Sequence, residues 1–433
     1  MKVGGNITFN WTTGFASLQW LFFIFANTVV VPISVGTAFD LPSDVIASML
    51  RSSLLFTGIA CVLQGYFGHR YPLMEGHTGV MWGLVLNLSL SASALGMSYT
   101  DIGGGIATGM LLAGIITIIL VKLNLIFFLH KIFTPMVMSA YLFLLTFQLI
   151  LIFFKGMLKI TPEGTLDLPV SLLSIGIVIL VSLLKIKGNN IIGNFSILIG
   201  MIVGWVVYVI FFPTEASTTS QGASFIEIFP LGTPNLNFGI VMITFLASII
   251  NLSNTIASVQ SAAKLFNERA TERQFKSSYL LTGSYSIIAA VLGLISYAPF
   301  ASSIGFLEST RIFDRKPFLI GGGSMILLGI IPFLGRLLAT MPITVGNAVL
   351  FVAYLQLFGT SLKSLNGYVF NSKSIYRLAA PVLIGISIMN MNSHLFNNLP
   401  PILQPLISNG FVVGVVVAII LEKIIKWDDV VEA

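Results

Sequence analysis

Glu75, His77 and Thr78 sit together in the stretch Gln64 to Gly83, QGYFGHRYPLMEGHTGVMWG, which separates two long apolar runs. A carboxyl group deep in a bilayer is costly, and one that persists there generally serves a substrate, an ion or a proton. Glu75 can therefore accept hydrogen bonds from a substrate, exchange a proton during transport, or do both. If the extended segment is short, it is instead a loop carboxylate beside Arg70. His77 is a second proton site, a donor to the substrate, or a satisfied structural histidine. A second polar interruption, Tyr297 to Ile312, carries Phe300, Ser302 and Ser303. Thr78 and Ser302 can bond locally or to a substrate, and Tyr71 and Phe300 are candidates for stacking. Asn251, Ser253, Asn254, Thr255 and Ser258 crowd another apolar run. Polar residues this dense in a span face the protein interior, where they pack helices or line a site. His69, His130 and His394 fall near helix ends or in loops and are assigned no chemistry.

The elements that hold these residues are membrane spans. Of 433 residues, 56% are hydrophobic and 9% charged, and the mean hydropathy is +0.96. A soluble domain is about 25% charged. Apolar runs of about 20 residues recur along the whole chain, as in a polytopic membrane protein. The first dozen residues carry no cleavage signal, so the first run reads as a retained helix. The single Cys61 can form no internal disulfide and has no metal-ligand cluster around it. The net charge of +6 reflects cytoplasmic loops rather than affinity for nucleic acid.

Helices are expected at Phe15–Ile33, ended by Pro32, and at Ile46–Phe67. After an extended Tyr71–His77, they follow at Gly79–Leu90, Gly104–Val121, Phe133–Phe154, Val170–Leu184 and Ile192–Phe212. Beyond the polar segment Pro213–Asn237, which reads as an external linker, they recur at Phe238–Ala257 and Ser278–Ile295. The broken Tyr297–Ile312 comes next, then Phe318–Leu334, Met341–Leu357, Arg377–Met389 and Gln404–Ile424. The expected fold is all-α and integral to the membrane, with about fourteen spanning segments. The third and tenth are short and discontinuous. With the N-terminus inside, only Arg51, Lys155, Lys159 and Arg336 of the 22 lysines and arginines fall outside. That bias puts both termini in the cytoplasm.

Residues 1–212 and 238–433 echo each other. Phe133-Thr-Pro135 matches Met341-Pro342, Gly200 to Gly204 matches Gly410 to Gly414, and Pro72 with Gly79 matches Pro299 with Gly305. The offsets are all close to half the chain. An odd number of spans per half makes the repeats inverted, and inverted repeats with matching broken segments mark secondary transporters. Half-helix N-termini at two facing breaks would make a midplane pocket of backbone donors and acceptors.

Several stretches resemble the nucleobase–cation symporter family of uracil, xanthine and ascorbate permeases. Ser17 to Pro32 is similar to its first helix, with Gln19 present and Trp20 where the family has histidine. Tyr71 to Gly79 (YPLMEGHTG) is similar to the third segment, with Glu75 at the family's glutamine. Ser196 to Gly204 resembles the seventh, Met341 to Gly346 the twelfth, and Leu399 to Gly414 the last. The resemblance implies seven plus seven inverted segments divided into interleaved core and gate domains. It places the pocket between the third and tenth segments and the eighth helix. The family's two acids fall at Asn254 in Asn254-Thr-Ile-Ala257 and at Ser302 in Ala301-Ser-Ser-Ile-Gly305, so neither carboxylate is present. Glu75 is left to take over part of that role.

The expected site is therefore Glu75, Gly76, His77, Thr78, Asn254, Thr255, Phe300, Ser302 and Ser303 for substrate, with Glu75 and His77 for proton coupling. The expected activity is proton-coupled import of a purine-like nucleobase across the cell membrane by alternating access. The partners are the nucleobase, a proton or other cation and the bilayer, with no cofactor or metal; a homodimer is allowed. The alternatives are an uncoupled facilitator, or a carrier of another small polar solute or anion. A membrane enzyme is more remote, because the chain has no HExxH, no Gly-x-Ser-x-Gly and no acidic metal cluster.

Overall fold

The computed structural model describes residues 11–125, 132–161, 164–212, 226–300, 302–331, 341–363, 365, 369–396, 398–400 and 403–425. His130, Ala301, Lys2, Lys131, Arg336, Lys426 and most of the expected external linker lie outside them.

The first half comprises α1 (Trp11–Ala38), α2 (Ser43–Tyr66), β1 (Glu75–His77), α3 (Gly79–Leu90), α4 (Tyr99–Lys122), α5 (Pro135–Met157), α6 (Leu168–Lys187) and α7 (Asn190–Phe211). The second comprises α8 (Phe238–Leu265), α9 (Glu272–Val291), β2 (Tyr297–Pro299), α10 (Ser302–Thr310), α11 (Arg315–Ile330), α12 (Ile343–Lys363), α13 (Ser372–Met389) and α14 (Gly410–Ile424). Short turns of helix at Ala92–Leu95, Ser393–Phe396 and Gln404–Ile407 connect them. Six of these helices are long and apolar enough to cross a membrane. The protein is mostly helical and multi-pass.

Three expectations change. Pro32 does not end α1 but lies inside it. A proline withholds one backbone donor, and side-chain donors and burial in a membrane protein make that tolerable. Here Val29, Val30, Val31 and Ile33 are buried around the proline. Second, several helices start before the apolar run does, because polar caps start them. Ser98 with Asp101, Thr271 with Gln274, and Asn371 with Ser374 form capping boxes at α4, α9 and α13. Third, the expected last span is interrupted before Gly410. Asn409 caps α14 by accepting from the Val412 amide at 3.0 Å.

The helices pack in two groups. In the first, α2 and α1 lie against α11, α9 and α8 lie against α4, and both strands, α3 and α10 are held among them. In the second, α5 lies against α12, α13 and α14, while α6 packs on α7 and α12. The groups meet mainly where α7 approaches α1 and α10 and where α3 approaches α5. Glycines set the closest approaches, since without hydrophobic drive between helices in lipid, close backbone packing does the holding. A Cβ at Gly58 would sit 2.6 Å from the Gly322 carbonyl oxygen, and one at Gly114 would sit 2.6 Å from that of Gly283. Gly200 and Gly204 face Val181 and Ile177 of α6, and Gly410 faces the Gly385 carbonyl of α13. In the second group a buried Arg377–Glu422 ion pair also ties α13 to α14.

Gly114→Leu should lower the melting temperature of detergent-purified protein, with a cost of about 1–3 kcal/mol or more from overpacking. Gly176→Ala, where an added methyl meets nothing within 4 Å, should not lower it.

Candidate functional site

β1 and β2 pair antiparallel with Glu75 opposite Pro299, Gly76 opposite Ala298 and His77 opposite Tyr297. The ladder is extended by Thr78 N–H donating to the Ser296 carbonyl at 3.0 Å and Phe300 N–H donating to the Met74 carbonyl at 2.8 Å. Side chains alternate across a strand. Glu75, His77 and Tyr297 thus share one face, the rear, and Gly76 and Ala298 the other, the front.

The rear face is sealed. Glu75 and His77 are 0% and 1% exposed. His77 Nε2 lies 2.6 Å from Ser53 Oγ of α2 and 3.5 Å from the Tyr297 hydroxyl, which in turn lies 3.0 Å from Thr57 Oγ1. Cys61 Sγ, also on α2, lies 3.3 Å from the Glu75 amide. Glu75 Oε1 lies 3.4 Å from His69 Nε2.

The front face is covered at its centre and opens toward α10. A Cβ at Gly76, which is buried, would lie 2.8 Å from Met74 Cε and 3.3 Å from the Phe300 ring, while one at Gly305 would meet nothing within 4 Å. Phe300 and Asn254 are half-buried and Ser302 is exposed. Two half-helices begin beside this face. Thr78 caps α3, accepting from the Met81 amide at 3.4 Å, and α10 starts at Ser302. Ser303 is buried and accepts from the Met74 amide at 3.0 Å, which fixes α10 against β1.

Helix α8 runs along the outer edge of β2. Asn251 Nδ2 donates to the Tyr297 carbonyl at 3.4 Å, and Ser258 Oγ donates to the Pro299 carbonyl at 3.0 Å. Asn254 donates to Asn251 Oδ1 at 2.9 Å. Part of the polar cluster on α8 thus satisfies an edge that lipid could not, while Asn254 stands at the rim of the front face. Thr255 is buried, with no hydrogen-bond partner for its hydroxyl among the described residues.

The structure therefore brings the expected residues together but on two sides of one strand pair. Gly76, Asn254, Phe300 and Ser302 lie at the front. The side chains of Glu75 and His77 lie at the rear, and Thr78 and Ser303 support the half-helices. Two residues join the site without being expected there. His69 does not stand idle at a helix end but reaches Glu75. Tyr141 of α5 brings its hydroxyl beside Ser253 and Asn254 from the second helix group. Beyond the front, a cleft between α1, α7 and α10 is lined by Gln19, Asn27, Phe23, Phe195 and Phe306. No group of three or more His, Cys, Asp or Glu that could hold a metal ion occurs among the described residues.

Two helix groups around paired half-helices define a membrane carrier, and the comparisons agree. The Xan_ur_permease model of the permease family matches residues 12–394. The chain belongs to that family, and it is a permease rather than an enzyme. YwdJ of Bacillus subtilis (strain 168), whose purine permease designation is provisional, is 28% identical over 422 residues, covering 95% of each chain. The nucleobase transporter PlUacP of Paenibacillus larvae is 24% identical, covering 95% of this chain and 93% of its own. Among solved structures, the transmembrane domain of the cyanobacterial bicarbonate transporter BicA superposes with a TM-score of 0.60. It is 12% identical and covers 95% of this chain and 97% of its own. That likeness is one of fold.

Asn251→Ala and Ser258→Ala each leave a β2 carbonyl unpaired. Each should cost about 1–3 kcal/mol, read as a lower melting temperature in detergent.

Proposed function

We propose that this permease imports a purine-like nucleobase across the cell membrane by alternating access, coupled to protons. The observation that carries the reading is the front face of the strand pair. It offers what a flat heteroaromatic ring needs: the Phe300 ring to stack on, the Gly76 backbone beside it, and the side chains of Asn254 and Ser302 at the rim. The N-termini of α3 and α10 add backbone donors for a carbonyl-rich or anionic ring. The purine and nucleobase names of the relatives agree with this choice. Thr78, Thr255 and Ser303 hold the surroundings, and Glu75, with His77 nearby, carries the proton.

Alternating access rests on the inverted repeat of seven plus seven segments. Its support is that helix contacts come in matched pairs. The α2–α11 contact has its counterpart in α9–α4, α1–α11 in α8–α4, α5–α13 in α12–α6, and α6–α7 in α13–α14. The Gly58–Gly322 approach likewise has its counterpart in Gly283–Gly114. One group then rocks against the other, with both termini cytoplasmic. The cleft at Gln19, Asn27 and Phe306 is the route from the pocket toward the inside.

A carrier of small anions is the second reading, favoured by the two helix N-termini and the uncharged Asn254 and Ser302. A thermal-shift screen of purified protein against purines, pyrimidines, ascorbate and small anions separates the two. A ligand at about 100 times its Kd stabilises the state it binds by about 2.7 kcal/mol. Purines should give the largest shift, and stabilisation by small anions alone would overturn the nucleobase reading. Asn254→Ala should lower uptake at subsaturating purine about tenfold, the equivalent of about 1.4 kcal/mol. A protonophore should collapse accumulation to equilibration.

A further inference from the structure

Behind the strands lies a chamber that the substrate pocket does not use. Neither carboxylate oxygen of Glu75 makes a hydrogen bond among the described residues, and Oε1 lies 3.4 Å from Nε2 of His69, itself 0% exposed. His69 is held on both sides by backbone bonds. Its Nδ1 accepts from the Tyr71 amide at 3.1 Å, and its carbonyl accepts from Gln274 Nε2 at 2.8 Å. A ring nitrogen that accepts from an N–H carries no proton, so the proton of the neutral imidazole is on Nε2, which lies 3.4 Å from Glu75 Oε1 and makes no hydrogen bond among the described residues. A second proton on His69 would have to displace the Tyr71 amide. His69 is therefore locked as a neutral donor, and Glu75 is the group free to change its charge.

We propose that Glu75 and His69 form a proton site on the rear face of the strand pair, physically separate from the nucleobase pocket on its front. Glu75 takes the proton as carboxylate plus H+ giving the acid, and His69, a positioning residue, stays neutral throughout. The other ionisable groups facing Glu75 are Cys61 of α2, Tyr285 of α9, His77 of β1 and Tyr297 of β2. His77 and Tyr297 are engaged with Ser53 and Thr57. A buried carboxylate with an imidazole nitrogen 3.4 Å away suits a proton better than a metal cation, which needs several oxygen ligands. One strand thus carries the proton site on one side and the Gly76 backbone on the other. Coupling passes through the position of β1, with no contact between the proton-binding group and the ring.

The test compares wild type with Glu75→Gln, His69→Gln and His69→Leu in proteoliposomes and by infrared spectroscopy. Its uptake arm rests on the nucleobase reading; its infrared arm does not. Without substrate, wild type should show a carboxylic-acid carbonyl band that titrates with pH, and Glu75→Gln should lose it. His69→Gln, which keeps a donor in place, should titrate as wild type does. His69→Leu should move the midpoint by about one pH unit. In uptake, Glu75→Gln should lose accumulation at least tenfold yet still exchange external for internal purine and still be stabilised by purine. Loss of exchange and of purine stabilisation together would put the carboxylate in the substrate pocket and overturn the separation. An unchanged infrared band or normal accumulation in Glu75→Gln would place the proton elsewhere. Accumulation driven by a sodium gradient and indifferent to pH would overturn the choice of ion. Absence of purine binding by wild type would sink the substrate reading while the infrared titration still decides the proton site.

Discussion

The short antiparallel pairing of β1 and β2 is the constraint on which the rest of the structure depends. Backbone that leaves the helix at membrane depth must find its hydrogen bonds inside the protein. Each strand alone would leave carbonyls and amides bare, and each answers the other. The two outer edges are answered separately. Asn251 and Ser258 of α8 serve β2, and Cys61 of α2 lies against the amide and carbonyl of Glu75. The glycine contacts of α2 with α11 and of α4 with α9 bring the surrounding helices close enough to do this. A weak two-strand ladder is thereby held in a fixed place, and that place divides the protein interior into a front and a rear.

The division gives the absence of acids at Asn254 and Ser302 a physical meaning. Carboxylates at those positions would put charge at the rim of the front face. Here the front carries neutral donors and acceptors, and the buried carboxyl stands behind the strand with a histidine whose tautomer is set by the backbone. The proposed substrate pocket and the proposed proton site use different surfaces of one element, an arrangement in which recognition and energy coupling need not compromise each other's geometry.

Much of this was legible in the sequence because membranes make it so. Long apolar runs bounded by charge gave the spans, and a polar break with Pro and Gly in each half gave the strands; Glu75 to His77 and Tyr297 to Pro299 fall inside the two segments expected to be extended. Alternation along an extended strand places Glu75 and His77 on one face, but which face the surrounding helices seal depends on packing that sequence does not show. That packing joins residues hundreds of positions apart. His69 was unreadable because a left-handed turn at Arg70 and a backbone amide point it inward. Tyr141 was hidden among many aromatic residues, and only the approach of the second helix group brings it to Asn254. Several helix ends extend past the apolar run because polar caps, not hydropathy, set where they begin.

The same ladder bears on how the chain is made. His77 and Tyr297 are 220 residues apart, and helices are inserted into a membrane in order. From the time the first half enters until the second half follows, β1 has no partner, and its polar backbone must be shielded by something other than its final neighbour. Closing so long a loop costs little more entropy than closing one of half the length, so the delay is one of synthesis and search rather than of final stability. The seam between the two halves is therefore closed by the pairing of β1 with β2, which requires both halves of the chain.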